Sequence, residues 1–416
     1  MEDERDSVTA RSHGGLAVAA INVSHAFAHL NNQAPSALWP VLQQEFGFGY
    51  MGIALLAVVN QVVVGPLEVV YGVLTRLYGR VRIMAVGTFV AFAGSLGMAG
   101  SQSYIHLVAA RAVKGLGTSP NHPVGGAIMV DTFPRAQARA LALYQTAGSV
   151  GGWLSPLLVG VMLFFLSWRW IFLILSIPVL LAAVMLLVVK EPPVSGGEEA
   201  GETRRRRARL GFAEYKIVLR DRNAMLVALV MAIGAAGRGA GGLNTYLTPF
   251  MVDRFGVTPP VAAMFLSVYT FAAVVGPLGM AWLADRTSPR LALRVTLVFS
   301  AIFNLLFLVP DKAGISLAAV IFLAGVFVSS RATLTQAMLI SLGPKDVRVD
   351  TLLSLYGGIG AATGPVWTFI TGMIVDNFGI PPAMVVSAVS YILGIFILGL
   401  IKLSPTATPA TQPNNG

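Results

Sequence analysis

The sequence predicts an all-α polytopic membrane protein with twelve transmembrane helices in two six-helix pseudo-symmetric bundles. Three observations support this fold class. The 416 residues are 55% hydrophobic and only 12% charged, whereas soluble domains carry about 25% charged residues. Long apolar runs recur along the whole chain, and motifs of the first half recur in the second. The composition excludes an ordinary soluble enzyme and a disordered chain, and the absence of cysteine excludes a disulfide scaffold.

The apolar runs are long enough to cross a bilayer as helices. A hydrocarbon core of about 30 Å requires roughly 20 apolar residues in a helix. The runs show no strand-like alternation, and only helices or closed barrels satisfy the backbone in lipid. The predicted spans are residues 15–38, 50–75, 83–101, 104–131, 141–166, 169–190, 223–250, 259–284, 291–310, 314–342, 351–375 and 381–402.

The distribution of basic residues predicts the orientation, because cytoplasmic loops favour Lys and Arg. With a cytoplasmic N-terminus, only three basic residues fall on the outer side: Arg169 at the start of the sixth span, Arg254 and Lys312. Both termini are therefore expected to be cytoplasmic, in what we predict to be a bacterial inner membrane. The predicted segments are a tail (1–14), a six-helix bundle (15–190), a basic linker (191–222), a second six-helix bundle (223–402) and a tail (403–416).

The net charge of +10 does not indicate a nucleic-acid-binding protein. The run Arg204–Arg207 lies in the predicted linker, and no aromatic or groove-reading element accompanies it. Such a run is typical of a segment that contacts anionic lipid headgroups. We therefore expect the protein to contact the lipid bilayer and to bind no nucleic acid.

Motifs of the two halves match at a nearly constant spacing. Val64–Leu67 matches Val275–Leu278 at an offset of 211 residues. At an offset of 212, the following positions of the first half have equivalents in the second: Tyr144 and Tyr356, Gly148 and Gly360, Gly152 and Gly364, Gly160 and Gly372. Both halves begin on the same side of the membrane, so they are parallel repeats. Such repeats place a cavity between the halves and suit alternating access by rocking.

These features resemble the major facilitator superfamily over nearly the whole chain. The segment Gly72–Arg80 is similar to the family's G-x-L-a-D-r-x-G-r loop, with Arg76 at the aspartate position, and Asp285 keeps the acid in the second half. The resemblance implies a cytoplasmic gate latch, which Arg76 alters in the first half. The alternative is that these are basic residues at helix ends. The implied latch residues are Gly72, Arg76, Gly79, Arg80, Asp285 and Arg286.

Two glycine motifs extend the resemblance. Arg111-x-x-x-Gly115-x-Gly117 is similar to the superfamily signature of span four. A glycine-proline pattern, which the family often shows in span five of antiporters, occurs in both halves. Its residues here are Gly148, Gly152 and Ser155-Pro156, and Gly360, Gly364 and Pro365. Small residues let helix backbones approach closely, so helix packing is the default role and gating is the further one that the resemblance implies.

Within the superfamily, the chain resembles fosmidomycin-resistance-type exporters. The matching residues are Ser24-His25, Pro40, Glu45-Phe46, Gly117 and His122-Pro123. His29 and Val124 stand where that family tends to carry an acid. The resemblance implies export, but a carboxylate proton carrier is not available at these two positions.

Polar residues inside spans indicate the functional site, because they usually face a cavity or a partner. Asn22, His25, His29, Asn32 and Ser36 are spaced by three or four residues and share one helical stripe. We predict that this stripe lines the cavity; a hydrogen-bonded packing seam is the alternative. Histidine exchanges protons near neutral pH, so His25 and His29 are candidate proton carriers.

Four basic residues lie away from the ends of the predicted spans. They are Arg111, Lys114, Arg238 and Arg331, with Lys114 also able to extend towards the membrane surface. Glu68 is the only carboxylate clearly inside a predicted span. It is a candidate proton carrier or the partner of an arginine. An excess of buried base predicts an anionic substrate. The predicted substrate-binding residues are His25, His29, Asn32, Arg111, His122, Arg238, Asn244, Tyr246, Arg331 and Thr335.

The sequence thus predicts a monomeric secondary transporter that moves a small organic anion by proton-coupled alternating access. The alternatives are an efflux antiporter of neutral or hydrophobic compounds, a lipid translocator and a non-transporting sensor. No catalytic-triad spacing, H-E-x-x-H motif or phosphate loop is present, so neither enzymatic activity nor a cofactor is expected. His25 and His29 have the spacing of metal ligands, but the sequence shows no third ligand, so no metal site is predicted.

Overall fold

The computed structural model describes residues 2–133, 136–189, 214–234, 243–344, 346–347 and 349–402, and these residues form helices without any strand. The first-half helices are α1 (Glu2–Phe46), α2 (Tyr50–Tyr78), α3 (Arg80–Ala99), α4 (Tyr104–Thr118), α5 (Gly126–Thr132), α6 (Gln137–Met162) and α7 (Trp168–Val188). They are followed by α8 (214–220), α9 (Arg222–Ile233), α10 (Leu243–Phe255), α11 (Pro259–Arg286), α12 (Pro289–Leu306), α13 (Ile315–Leu342), α14 (Val349–Phe378) and α15 (Ile380–Gly399).

The helices confirm an all-α membrane protein. Within the described ranges, seven helices are each long and apolar enough to cross a membrane: α3, α7, α11, α12, α13, Gly358–Phe378 of α14, and α15. Helix α1 extends beyond the predicted span 15–38 because a helix can continue past the apolar run into polar surroundings. The short helix α8 lies in the predicted linker, whose Arg204–Arg207 run is outside the described residues.

In the described part of the chain, two predicted spans are each represented by more than one helical element. Span four consists of α4, a π-helical turn at Asn121–Gly125, and α5. The turn contains Pro123 and follows Pro120, and neither residue has the backbone N–H that a regular helix requires. Span seven consists of α9 and α10, with residues 235–242 between them outside the described part.

Equivalent hydrogen bonds confirm the repeat. The Tyr144 hydroxyl donates to the Asn121 carbonyl oxygen at 2.5 Å. The equivalent hydroxyl of Tyr356 donates to the Ala332 carbonyl oxygen at 3.0 Å. Each tyrosine thus joins the fifth predicted span of its half to the fourth.

The two halves meet where α1 ends and α2 begins, which we name the closed end. The helix pairs α2–α14 and α6–α11 cross between the halves, and the repeat relates these two pairs to each other. A Cβ atom on Gly372 would lie 2.9 Å from the Ala54 Cβ, and one on Gly160 would lie 3.0 Å from the Pro260 carbonyl oxygen. Equivalent glycines therefore permit equivalent close approaches.

Buried apolar residues show the same arrangement. One large cluster joins both halves at the closed end and includes Trp39 and Ile53 as well as Phe250. Two further clusters of described residues each lie within a single half, one around Met84 and the other around Leu297. The halves therefore share a hydrophobic core at the closed end and have separate cores towards the opposite end.

Helices α1 and α6 approach each other at Gly151. A Cβ atom there would lie 2.0 Å from the Ala26 carbonyl oxygen, whereas one on Gly152 would meet no atom within 4 Å. The packing role that the motif suggested for Gly152 thus belongs to its neighbour. A helix turns by about 100° per residue, so adjacent positions face different surroundings.

Gly151→Ala is expected to destabilise the protein, because the new methyl group meets the backbone of α1. Overpacking of this kind costs about 1–3 kcal/mol, so thermal unfolding of purified protein in detergent should begin several degrees lower. Gly152→Ala is the matched control and should be neutral or slightly stabilising, since alanine favours helices and the space is open. Equal unfolding temperatures for the two variants would contradict the prediction.

Candidate functional site

A proline in α1 provides the acceptor for a buried lysine. Pro35 has no N–H, so the Asn31 carbonyl does not receive the helical hydrogen bond that residue 35 would otherwise donate. The Lys114 ammonium donates to this oxygen at 2.7 Å, and Lys114 is completely buried. Lys114 therefore points inward to α1 and does not extend to the membrane surface.

Arg111 lies on α4 about one helical turn before Lys114, and it contacts the same region of α1. Its guanidinium donates to the Asn32 side-chain oxygen at 3.1 Å, and its Nε atom is buried without a hydrogen-bond partner. The Asn31 side chain anchors this part of α1, because its amide donates to the Leu175 carbonyl at 3.0 Å and its oxygen accepts from Ser95 at 2.9 Å. Asn31 was not among the predicted site residues because it lies one position off the polar stripe.

The structure brings together three of the predicted site histidines, which we name the histidine cluster: His25, His29 and His122. Their ring centroids are separated by 4.6 Å, 5.0 Å and 5.3 Å. His25 is buried, His29 is half-buried and His122 is exposed, so the cluster runs from the packed interior towards an accessible surface. The Tyr144 ring stacks on His25 with a centroid distance of 3.8 Å.

Local backbone features position the histidine cluster. The π-helical turn adds a residue to the turn that carries His122, and π turns are frequent at functional sites. Gly148 of α6 lies directly behind the cluster, since a Cβ atom there would lie 2.6 Å from the His25 Nε2. The absence of a side chain at Gly148 thus leaves room for the histidine rings. Gly360, its equivalent in the second half, faces Met231 instead.

In the second half, Arg331 is buried at the end of α9. Its guanidinium donates to the Met231 carbonyl at 3.1 Å, and the Trp367 indole donates to the next carbonyl, that of Ala232, at 2.8 Å. Carbonyl groups in the last turn of a helix have no intrahelical partner and attract positive charge. Arg331 therefore stabilises a helix end inside the protein. Arg238 lies outside the described residues.

The other predicted substrate-binding residues of the second half form three different contacts. The Asn244 side-chain oxygen accepts from Gln33 of α1 at 3.1 Å, which joins the two halves. The Tyr246 hydroxyl donates to the Thr368 carbonyl at 2.8 Å. The Thr335 hydroxyl donates to the Arg331 carbonyl of its own helix at 2.7 Å. The first two residues therefore lie close to the closed end, and Thr335 lies next to Arg331.

The predicted latch residues lie at the opposite end. Arg80 forms an ion pair with Asp131 at the end of span four, with a distance of 2.5 Å. Gly79 has a φ of +83°, which a glycine adopts without strain. Asp285 is exposed, and the Arg286 guanidinium lies 4.1 Å from the centroid of the Trp282 ring. The side chains of Glu68 and Arg76, and the surroundings of Gly72, lie outside the described part of the chain.

The remaining glycine-motif residues lie on α14. A Cβ atom on Gly364 would lie 3.0 Å from the Gln61 side-chain oxygen of α2, in the opposite half. Pro365 is inside the helix and removes the donor to the Ala361 carbonyl. Gly364 therefore lies at the interface between the halves, where a gating role would require it to be.

Two carboxylates of the second half hold the start of α2, and we name these contacts the closed-end latch. Asp376 of α14 accepts the backbone N–H groups of Tyr50 and Met51 at 2.8 Å and 2.7 Å. Asp253 of α10 accepts the Tyr50 hydroxyl at 2.6 Å. Asp376 acts as a helix cap donated by the opposite half, because Gly49 itself has no side chain to cap α2.

The latch was not predicted from the sequence. Asp376 belongs to no local capping motif, and the capping motifs that can be recognised in a sequence are local. A cap supplied from over 300 residues away leaves no such motif. Its only signal is a glycine at an N-cap position, where a side-chain acceptor would be expected.

The comparisons with known proteins identify the family. The family model described as Major Facilitator Superfamily matches residues 21–248 and 229–416. The chain belongs to the major facilitator superfamily. It is therefore an integral membrane protein of a transporter family, and members of this superfamily act on small-molecule substrates. The family and the fold are those of transporters and not of enzymes.

Individual members of the superfamily match the chain over different lengths. The uncharacterized MFS-type transporter YfnC of Bacillus subtilis is 21% identical over 388 residues, covering 92% of each chain. The fosmidomycin resistance protein of Escherichia coli is 27% identical over 154 residues, covering 37% of this chain and 38% of that one. This match confirms the resemblance noted in the sequence, over that part of the chain.

The fold is also shared with solved superfamily structures. A bacterial homologue of the human lysosomal transporter Spinster, solved in an inward-facing and unoccupied conformation, has a TM-score of 0.79 at 16% identity. The superposition covers 94% of this chain and 99% of that one. The similarity establishes the superfamily's two-bundle fold for this chain, and the twelve transmembrane helices predicted from the sequence are consistent with that fold.

Asp376→Ala is expected to loosen the closed end of this transporter. The substitution removes a cap worth about 0.5–2 kcal/mol together with a contact between the halves. Because the chain lacks cysteine, spin labels can be placed at Phe165 and Ile315, which are exposed on different halves at the closed end. Pulsed electron paramagnetic resonance should then show a longer or broader distance distribution.

The control for this experiment is Asp311→Ala, which removes an exposed carboxylate at the same end. Its distance distribution should equal that of the labelled parent. If Asp376→Ala also leaves the distribution unchanged, the capping contact does not hold the halves together.

Proposed function

We propose that this superfamily member transports a small organic anion across a bacterial inner membrane by proton-coupled alternating access. The observation that carries this proposal is the environment of Arg111 and Lys114. Both cations are buried, and both donate to neutral amide oxygens of α1. A buried charge without a counter-charge is costly, and an anionic substrate would reduce that cost.

The distribution of ion pairs supports an anionic substrate. Among the described residues, the salt bridges are Arg80–Asp131 and Arg169–Glu45, and both lie at span ends. Neither involves Arg111 or Lys114. In this proposal the positive charge of Arg111 and Lys114 attracts an anion that enters between the halves.

The proposed substrate site combines positions from both halves. On α1 and span four it comprises His25, His29, Asn32, Arg111 and His122, with Lys114 added by its observed burial. From the second half it comprises Arg238, Asn244, Tyr246, Arg331 and Thr335. Because Arg331 also stabilises the end of α9, binding of an anion there would be coupled to the position of that helix.

The histidine cluster is the proposed route for protons. Its rings are in contact and run from buried His25 to exposed His122, so a proton could pass between neighbouring imidazoles. Glu68 remains a proposed second carrier. The closed-end latch and the predicted latch at the opposite end would then separate and reform in alternation as the halves rock.

Anionic compounds are expected to stabilise the purified protein against thermal unfolding. The screen would compare organic carboxylates and phosphonates with hydrophobic cationic drugs. Arg111→Gln and Arg331→Gln should each reduce the anion-induced shift, because each removes positive charge from the site. Arg294→Gln, at an exposed arginine of α12, should retain the full shift. Unchanged anion shifts in both buried-arginine variants would remove these arginines from the proposed site, and the absence of any anion-induced shift in the parent would contradict an anionic substrate.

His29→Gln is expected to flatten the pH dependence of transport. Flux of an anion found in the screen would be measured in proteoliposomes between about pH 5 and pH 8, where histidine ordinarily changes charge. Removal of the exposed His106 of α4, by His106→Gln, is the matched control and should leave the profile unchanged. A profile of unaltered steepness in His29→Gln, or flux that ignores an imposed pH gradient, would remove the histidine cluster from the coupling step.

Export by antiport is a second candidate for the direction of transport. The observation that favours it is the match to the fosmidomycin resistance protein over 154 residues. An exporter that exchanges substrate for protons would move the anion outward while protons move inward down their gradient. A symporter would move the anion along with the protons. Reversal of the imposed pH gradient in the same proteoliposomes distinguishes the two directions.

A further inference from the structure

We infer that the histidine cluster is a binding site for a divalent transition-metal ion, with Zn²⁺ as its representative. His25, His29 and His122 each offer a ring nitrogen, and these three atoms all lie within 4.8 Å of one another. The sequence alone indicates only two of these ligands, His25 and His29. The third is supplied by the π-helical turn, which places His122 beside α1. This inference goes beyond the proposed transport function.

The geometry is close to that of a metal site. A Zn–N bond measures about 2.0–2.1 Å, so tetrahedral ligand nitrogens lie about 3.3 Å apart. The three nitrogens therefore have to approach one another by about 1.5 Å or less, which is within the reach of imidazole side-chain rotations. His25 and His29 are one helical turn apart and already lie on the same face of α1.

The unpartnered nitrogens of His25 are the second observation. His25 is fully buried, and neither of its ring nitrogens has a hydrogen-bond partner. An uncompensated buried polar group is unfavourable, and coordination of a metal would satisfy one of the two nitrogens. The stacked Tyr144 ring holds the His25 ring in the orientation observed.

The ligand chemistry selects the class of metal. Imidazole nitrogens suit Zn²⁺, Cu²⁺, Ni²⁺ and Co²⁺, whereas Mg²⁺ and Ca²⁺ prefer oxygen ligands. Three protein ligands leave a fourth position open for water or an anionic oxygen. The exposed His122 gives an ion a way in. Since metal and protons would compete for the same nitrogens, a bound ion is expected to block any proton transfer through the cluster.

The experiment measures binding without transport, so its result is independent of whether the proposed function is correct. The protein is purified with a histidine-free tag, and His13 and His106, which are outside the cluster, are replaced by glutamine. Titration calorimetry with Zn²⁺, and separately with Mg²⁺, gives the stoichiometry and affinity. X-ray absorption of the Zn²⁺-loaded protein then counts the imidazole ligands directly, with no substitution in the cluster.

The expected result is one Zn²⁺ per chain with three imidazole ligands, and no corresponding binding of Mg²⁺. His122→Gln, at the exposed end of the cluster, should weaken Zn²⁺ binding by at least about tenfold, because loss of even an outer-shell partner has an effect of that size. Absence of Zn²⁺ binding by the folded parent would overturn the inference. So would an X-ray absorption spectrum with fewer than three imidazole ligands, or unchanged affinity in a folded His122→Gln variant.

Discussion

The structure depends on one constraint, namely that a backbone carbonyl inside a bilayer must find a donor within the protein. Two prolines in α1 create carbonyls that lack their helical donors. The Asn31 carbonyl, released by Pro35, accepts the Lys114 ammonium. The Ser36 carbonyl, released by Pro40, accepts the Thr248 hydroxyl of the second half at 2.6 Å. One bond organises the first bundle around α1, and the other connects that bundle to its partner.

The same constraint accounts for the buried arginine of the second half. Helix α9 ends within the protein, and two carbonyls of its last turn, those of Met231 and Ala232, accept hydrogen bonds from Arg331 and Trp367. Arg111, Lys114 and Arg331 thus each donate to a neutral oxygen. Because these oxygens satisfy hydrogen bonds without neutralising charge, structural support and attraction for an anion are compatible in one residue.

The sequence was sufficient to predict the features that depend on composition and period. These include the helical membrane fold, the repeat and the polar stripe of α1. Two histidines of that stripe, His25 and His29, lie close to His122. It was insufficient where the outcome depends on a neighbouring element. The π-helical turn depends on how span four packs. Helices α1 and α6 approach closely at Gly151 because of the rotation of α6. The cap of α2 comes from Asp376, which lies across the interface. Lys114 could be placed only once the free carbonyl of Asn31 was located.

The bond between Lys114 and α1 has a further consequence. Any other residue at position 35 would restore a backbone donor to the Asn31 carbonyl and compete with the ammonium for it. An apolar residue at position 114 would instead leave that carbonyl without its donor in a dry interior. Positions 35 and 114 are on different helices and do not form a side-chain pair. They are nevertheless linked through one oxygen atom, so the amino acids accepted at one position depend on the occupant of the other.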